Sequence, residues 1–214
     1  MNNQSIILDL DDTIFPTKTM DKEVFDSFFN NLTECLQVEH DSSQINDIIN
    51  ELWIRPIDYV FNKHNVKYGL VLSAFDFFKT ADINLNINPY SDYSYLKSIP
   101  QTKFLVTTGI KNLQLAKIKA LRIEKDFEEI FIIDPIIDNQ PKSLVFKQII
   151  ENHNLLPSQI FVVGDNPDSE IKSGNDLQMI TVQILRENII KGDNANYYIH
   201  NFNELKSILD INHE

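Results

Sequence analysis

Three aspartates near the start of the chain, Asp9, Asp11 and Asp12, stand within four consecutive positions. They follow the apolar run Ile6-Ile7-Leu8, which is typical of a buried strand that carries charged residues at its carboxyl end. Carboxylates held this closely in a poorly solvated crevice repel one another unless a cation offsets their charge. Oxygen ligands of this kind suit Mg²⁺, which keeps water ligands and leaves positions open for a phosphate. A solvated acidic turn after a strand is the alternative.

A second apolar run also ends in a carboxylate. Residues 160–163 are all apolar, and Gly164, Asp165 and Pro167 come soon after them. Glycine permits a close backbone approach, and proline suits the first turn of a helix. If the two strands are neighbours in a parallel sheet, Asp9 and Asp165 can hold one cation jointly.

Two threonines and one lysine are candidates for binding an anion. Thr107 and Thr108 stand at the end of the strand-like run at 103–107, and a helix is predicted to open at Lys111. A strand that ends in hydroxyls and opens a helix presents free backbone N–H groups to an anion, although such residues also serve as ordinary helix caps. Lys142 begins a later predicted helix, where a positive charge opposes the helix dipole. Most lysines are simply solvated, so this lysine alone decides nothing.

A parallel sheet with crossover helices would position these residues, because helix-length segments lie between most of the strand-like runs. Those runs occur at residues 5–10, 103–107, 130–133, 160–163 and 180–185. After the second strand, a helix is predicted from Lys111 to Leu121, with Leu115, Ile118 and Leu121 facing inward. A further helix is predicted over residues 143–152.

Residues 17–100 predict a domain inserted between the first and second strands. Apolar residues recur at helical spacing in segments 24–36 and 45–53, and Ser42 or Ser43 would cap the second helix. A whole crossover needs only a dozen or more residues, so a span of about 85 residues leaves a helical insertion. Open α/β sheets bind ligands at their carboxyl edge, and we expect the insertion to lie there as a lid.

Composition and charge limit the classes of function. The chain has 214 residues, of which 43% are hydrophobic and 23% charged, as expected for a globular protein with a core. A net charge of −12 disfavours nucleic acid polymers and anionic membranes as partners. No apolar run approaches the ~20 residues that span a bilayer, and no secretory signal is visible. The single Cys35 cannot form an internal disulfide, so we expect a cytoplasmic protein.

Four segments resemble, in order, the four motifs of the haloacid dehalogenase-like hydrolase superfamily: Asp9-Leu10-Asp11-Asp12-Thr13, Thr107, Lys142 and Gly164-Asp165. The resemblance implies an α/β fold whose core is a Rossmann-like doubly wound parallel sheet. Residues 1–16 and 100–214 would form this core domain, and residues 17–99 would form a small helical cap domain. The chain resembles the phosphatase branch of this superfamily, in which such a cap lies between the first and second motifs.

The resemblance also implies roles for individual residues. Asp9 would be the nucleophile that forms an aspartyl-phosphate, and Asp11 would protonate the leaving oxygen and then activate water. Thr107, Thr108 and Lys142 would bind the phosphoryl oxygens.

A divalent cofactor, Mg²⁺, would be held by Asp9, Asp165 and the backbone carbonyl of Asp11, as the resemblance implies. Three more residues would support the site around these ligands: Thr13, Asn166 and Glu170. Thr13 would brace the turn that positions Asp11.

The chain departs from the family pattern at two of these positions. Glu170 stands where the last motif commonly carries a second aspartate, and a longer carboxylate has a less certain geometry. Lysine usually precedes proline in the third motif, whereas Pro141 precedes Lys142 here. Lys111 is therefore the reserve candidate for the phosphate-binding lysine.

We predict an enzyme, a phosphomonoester hydrolase that acts on a small phosphorylated metabolite and is similar to nucleotidases or phosphoglycolate phosphatases. The alternatives are a sugar phosphomutase, which would return the phosphate to another hydroxyl, and a degenerate binding protein without turnover. A dehalogenase does not need an acid at Asp11, and a phosphorylated signalling receiver does not fit the long insertion. In the insertion, four residues would either face the substrate or pack within the cap: Arg55, Tyr59, His64 and Tyr68.

Overall fold

The computed structural model of the chain describes residues 4–53, 57–80, 83–138 and 140–211. Its strands are β1 (Ser5–Leu8), β2 (Thr102–Thr108), β3 (Glu129–Ile133), β4 (Ile160–Gly164), β5 (Ile180–Ile184) and β6 (Tyr197–Ile199). In the described residues they form one sheet of six strands in the order β3-β2-β1-β4-β5-β6, and all neighbours are parallel. This order is that of a doubly wound Rossmann-like fold, so the predicted α/β fold is confirmed.

The described helices account for the segments between and beyond the strands. They are α1 (Asp26–Leu36), α2 (Ser42–Leu52), α3 (Ile57–Lys63), α4 (Tyr68–Thr80), α5 (Tyr93–Ser98), α6 (Lys111–Leu121), α7 (Lys142–His153), α8 (Lys172–Asp176) and α9 (Phe202–Ile211). The five predicted strands are found, although β1 ends at Leu8 rather than at residue 10. Strand β6 was missed, because three residues are too few to show an alternating pattern.

The centre of the sheet positions the first acidic segment. Strand β1 pairs Leu8 with Leu105 on one side and with Val163 on the other. All four residues of β1 are buried, as expected for a parallel strand covered on both faces. The order of the strands reverses between β1 and β4, and open α/β sheets bind ligands at the carboxyl ends of the strands at such a point.

One face of the sheet packs against α7. Ile7, Phe104 and Val162 belong to three adjacent strands, and they form a buried cluster with Phe146 and Ile149 of the helix. Apolar burial of this kind contributes about 25 cal/mol for each Å² removed from water, and it fixes the start of α7 against the sheet. Residue 142, at that start, is therefore held in a defined place.

Helix α6 has the predicted bounds, but its buried face is different. Leu115 was predicted to face inward, and this is wrong, because it is 47% exposed. The buried positions of α6 are Leu113, Gln114, Lys117, Ile118 and Leu121. Two polar side chains therefore lie on the face that packs against the protein.

Helices α1 to α4 form a unit with an aromatic core. Helix α1 packs against α4, and the ring of Phe28 lies 5.2 Å from that of Phe75 and 5.0 Å from that of Phe78. The predicted cap of α2 at Ser42 or Ser43 is wrong. Asp41 caps this helix instead, in a capping box in which its side chain and that of Gln44 bind each other's backbone N–H.

Contacts divide the chain into two compact units, Met1–Met20 with Asn86–Glu214 and Asp21–Leu85. The predicted division into 1–16 with 100–214 and 17–99 stays a prediction of where the domains divide.

Among the described residues, no helix combines the length and the apolar character that crossing a bilayer requires. Of the four insertion residues named from the sequence, Arg55 lies outside the described residues, and Tyr59 is exposed. His64 binds Glu51 at 2.8 Å, and the ring of Tyr68 lies 5.3 Å from that of Phe61.

Candidate active site

The two acidic strand ends lie side by side. The backbone N–H of Asp9 donates to the carbonyl of Val163 at 3.1 Å, which extends the pairing of β1 with β4 by one residue. One carboxylate oxygen from each of Asp9, Asp165 and Glu170 lies within 4.8 Å of the others. Magnesium binds its ligands at about 2 Å, so two oxygens on one ion lie up to about 4 Å apart, and small side-chain shifts would bring these three to one ion.

Lys142 enters this acidic group from the start of α7. Its Nζ donates to Asp9 Oδ1 at 2.7 Å and to Glu170 Oε2 at 3.0 Å, and the lysine is only 5% exposed. Burial lowers the pKa of Lys142, but the charges of Asp9 and Glu170 more than offset this, so that the pKa lies above its ordinary value. Lys142 is therefore positively charged. Its bonds to Asp9 and Glu170 explain why a lysine stands at the start of a helix, where a positive charge opposes the helix dipole.

Burial and mutual repulsion oppose the charged forms of Asp9 and Asp165. Burial raises the pKa of Asp9 to about 7. The charge of Lys142 acts to lower this pKa, and the charge of Glu170 acts to raise it. Burial, followed by the charges of Glu170 and Asp9, raises the pKa of Asp165 well above its ordinary value. A divalent cation would offset this repulsion, and three carboxylates are oxygen donors of the kind that Mg²⁺ takes. The residues present therefore fit Mg²⁺.

A π-helical turn at Pro167–Ile171 places Glu170 in the group. Glu170 is 2% exposed, and its Oε1 accepts the backbone N–H of Asn166 at 2.7 Å. The side chain of Asn166 in turn accepts the N–H of Asp168, which caps the turn. Widened turns of this kind occur mostly at functional sites.

Gly164 leaves the space that Glu170 occupies, and this gives a stability test. A Cβ on Gly164 would lie 2.3 Å from Cγ and Oε1 of Glu170, whereas a Cβ on Gly69 would meet nothing within 4 Å. We expect Gly164→Ala to lower the free energy of unfolding by about 1–3 kcal/mol, because the fixed glutamate must move. The matched control Gly69→Ala, in α4, should be neutral or stabilising by up to about 1 kcal/mol. Urea unfolding measures both, and equal stability of the two variants would contradict the expectation.

Asp11 belongs to a second polar group. Lys117 Nζ donates to its Oδ1 at 2.8 Å and to its Oδ2 at 3.0 Å, and Gln114 Nε2 donates to Oδ2 at 2.9 Å. The same amide nitrogen lies 2.7 Å from Thr107 Oγ1 and 3.2 Å from the carbonyl of Thr108, so that its two hydrogens are shared among three acceptors. The residues predicted for proton transfer and for phosphate binding are therefore joined through helix α6.

The start of α6 is less open to an anion than the sequence implied. The backbone N–H of Lys111 donates to Asp134 Oδ2 at 2.9 Å, and that of Gly109 donates to the carbonyl of Ile133. Thr107 is buried and Thr108 is exposed. Lys111 itself is exposed, so the lysine beside the acidic group is Lys142.

Thr13 links the first acidic segment to the fourth strand. Its Oγ1 donates to Asp165 Oδ1 at 3.2 Å, and its carbonyl accepts two N–H groups of Arg186, at 3.0 and 3.3 Å. The guanidinium of Arg186 lies 4.0 Å from the ring of Tyr90 and 4.8 Å from that of Phe202. This arrangement holds the turn after β1 in place.

Sequence reasoning did not find Gln114, Lys117 or Arg186. For Gln114 and Lys117 a signal was present. They are four residues before Ile118 and Leu121, respectively, and therefore share the helical face of those two residues. Arg186 follows β5 without any local pattern that marks it.

Comparisons with known proteins agree with this geometry. A family model described as haloacid dehalogenase-like hydrolase matches residues 6–184. A glyceraldehyde 3-phosphate phosphatase of Methanocaldococcus jannaschii is 27% identical over 116 residues, which is 54% of this chain and 51% of the relative. A protein of the same name from Methanopyrus kandleri is 25% identical over 203 residues, covering 86% of this chain and 84% of that one. The chain thus spans about half the length of the first relative and most of the second.

The fold is also found in a solved structure. A HAD phosphatase from Thermococcus onnurineus superposes with a TM-score of 0.62 at 19% sequence identity, covering 96% of this chain and 97% of that one. At this identity the likeness shows the fold alone. The family model, however, extends over most of the sequence and includes the ends of both β1 and β4. The chain therefore belongs to the haloacid dehalogenase-like hydrolases, which confirms both the predicted superfamily and the prediction of an enzyme.

Proposed function

We propose that this hydrolase is an Mg²⁺-dependent phosphatase that cleaves small phosphomonoesters through an aspartyl-phosphate on Asp9. One observation carries the proposal: Asp9, which directly follows the central strand β1, lies close to the buried cation Lys142 and to the carboxylates of Asp165 and Glu170. A nucleophile for phosphorus needs a charged oxygen and positive charge beside it, and this group supplies both.

In the first proposed step, a carboxylate oxygen of Asp9 attacks phosphorus in line with the ester oxygen. The P–O ester bond breaks as the new bond forms, and Asp11, which must enter this step in its protonated form, gives that proton to the departing alcohol oxygen. Lys142 and the hydroxyl of Thr107 would bind the phosphoryl oxygens while their charge redistributes.

In the second proposed step, Asp11 takes a proton from water, which attacks the phosphorus of the aspartyl-phosphate. The bond from phosphorus to Asp9 breaks, inorganic phosphate leaves, and both aspartates return to their starting forms. The two roles of Asp11 are the reverse of each other, so one carboxyl group suffices for the complete cycle.

Asp9, Asp165 and Glu170 would hold Mg²⁺, together with the backbone carbonyl of Asp11 that the family resemblance implies. When bound, the ion supplies positive charge to the phosphoryl oxygens and offsets the repulsion among the carboxylates. Thr13 would keep Asp165 oriented through its hydroxyl, and Asn166 would do the same for Glu170 through its backbone N–H.

A small, soluble phosphate ester is the proposed substrate class. The net charge of −12 disfavours polyanions, and it also disfavours anionic membrane surfaces as partners. Glyceraldehyde 3-phosphate is the first compound to test, because both relatives are named as phosphatases of that compound. Phosphoglycolate and a nucleoside monophosphate are the next, from the resemblance in sequence. A single cysteine supports a reducing compartment, which we propose to be the cytoplasm.

A panel of phosphate esters tests the proposal. We expect release of inorganic phosphate from one or more small monoesters in the presence of Mg²⁺, and no cleavage of a phosphodiester such as bis(p-nitrophenyl) phosphate. Product analysis separates hydrolysis from phosphomutase activity, since a mutase would return an isomeric sugar phosphate and little free phosphate. Absence of turnover on every monoester would contradict the proposal and favour a binding protein.

A further inference from the structure

Lys117 is a buried cation that the proposed chemistry does not use. It is 5% exposed, and both oxygens of Asp11 accept hydrogen bonds from its Nζ, at 2.8 and 3.0 Å. The Nζ also lies 5.5 Å from the ring centre of Phe15. Burying a lysine costs several kcal/mol unless the lysine is paired with an anion. The ion pair with Asp11 therefore makes the buried position of Lys117 possible.

The contact encloses the lysine and leaves the aspartate accessible. The side chain of Lys117 is 6% exposed, whereas that of Asp11 is 26% exposed. A substrate can therefore still reach the carboxyl group of Asp11, while Lys117 holds it from the enclosed side.

Gln114 adds a second contact and a connection to the strand β2. This residue is 1% exposed, and its Nε2 joins Asp11 Oδ2 to Thr107 Oγ1. The amide packs over Gly109, where a Cβ would lie 2.9 Å from Cδ and Nε2 of Gln114. A side chain at position 109 would therefore crowd the amide of Gln114.

Helix α6 is a rigid support for both contacts. Gln114 and Lys117 are three residues apart, one turn along the same face, and Ile118 and Leu121 of that face are buried. Asp134 binds the N–H of Lys111 at the start of the helix. Side chains on a packed helix hold a fixed geometry more precisely than side chains on a loop.

We propose that Lys117 and Gln114 are positioning residues of the reaction, which hold the carboxyl group of Asp11 in line with the ester oxygen and at a fixed distance from Thr107. This inference rests on the proposed function. General acid catalysis depends on placement, because a misplaced acid cannot reach the leaving oxygen in the transition state. Loss of either residue should therefore slow cleavage most for leaving groups that need a proton.

The test compares two leaving groups with the full-length protein and Mg²⁺. p-Nitrophenolate leaves without much help from an acid, whereas an alkyl alcohol needs a proton. For Lys117→Met we expect kcat/KM on an alkyl phosphate to fall by about 10- to 100-fold, and on p-nitrophenyl phosphate by less than about threefold. Inhibition by inorganic phosphate should keep its constant, because Lys117 binds Asp11 and the proposed phosphate ligands are Lys142 and Thr107.

Three further variants complete the series. Lys117→Arg should restore part of the lost kcat/KM, because it returns a cation to the same place. Gln114→Leu should show the same dependence on leaving group, and it tests the inference even if Lys117→Met does not fold. Lys119→Met, an exposed lysine on the same helix, is the matched control and should equal the wild type.

The outcomes separate this inference from the proposed function. An equal loss on both substrates, or no loss, in folded Lys117→Met and Gln114→Leu would overturn the positioning role while the wild type remains a phosphatase. A wild type that cleaves neither substrate would overturn the proposed function and this inference with it. Melting curves confirm that each variant is folded.

Discussion

Replacing Asp9 by asparagine is expected to reduce phosphatase turnover by about 10⁴-fold or more. The amide has no charged oxygen to attack phosphorus, so the covalent step cannot occur. Asparagine has nearly the same shape and can still accept the hydrogen bond from Lys142, so the protein should remain folded. Release of inorganic phosphate measures turnover, and mass spectrometry of acid-quenched protein shows whether one phosphoryl group is attached.

The control for this substitution is Asp176→Asn. Asp176 is 54% exposed in a surface ion pair with Lys172, and such pairs contribute little to stability. This variant should keep wild-type turnover and should acquire the phosphoryl group as the wild type does. Turnover of Asp9→Asn within tenfold of the wild type would rule out the aspartyl-phosphate mechanism.

The sheet and its acidic strand ends were predictable from the sequence. An apolar run that stops at a carboxylate is simply explained by a buried strand that reaches the ligand-binding edge at its carboxyl end. Asp9 and Asp165 both stand at such ends, and a doubly wound order brings β1 beside β4. Their proximity therefore follows from local patterns together with one rule of topology.

The second polar group was not predicted, because only apolar residues of α6 were expected to face inward. Placing Ile118 and Leu121 inward already implies that Gln114 and Lys117 share their face, since each precedes one of them by four residues. Leu115 was also predicted to face inward, although it lies at the edge of that face. The burial of Lys117 depends on Asp11, which is 106 positions away in the sequence. No local pattern reveals a partner at that distance.

Glu170 could be named from the sequence, but its geometry could not. The π-helical turn at Pro167–Ile171 contains an extra residue in its winding, which changes the direction of each side chain after it. A regular helix would have been assumed from the proline at its first turn. The longer carboxylate, the open space above Gly164 and the widened turn together bring Glu170 to Lys142.

Removing divalent cations is expected to abolish turnover, and adding Mg²⁺ to metal-free protein is expected to raise its melting temperature. A ligand that binds only the folded state at a concentration 100 times its Kd adds about 2.7 kcal/mol to stability, which is about 5–10 °C for a chain of this size. The gain arises here because the ion offsets repulsion among Asp9, Asp165 and Glu170. Calorimetric melting curves with Mg²⁺ and with chelator measure the shift independently of activity.

Two substitutions test whether the stabilisation comes from this acidic group. Asp165→Asn and Glu170→Gln each remove one negative charge from the group, so that their metal-free forms should suffer less repulsion and gain less from Mg²⁺. We expect the shift in melting temperature to fall by at least half in Asp165→Asn, and the Mg²⁺ concentration for half-maximal activity to rise about 10-fold or more in both. Asp176→Asn, which changes the net charge equally on the surface, should keep the full shift. A full shift in Asp165→Asn, or undiminished turnover with chelator, would show that the ion binds elsewhere or is not required.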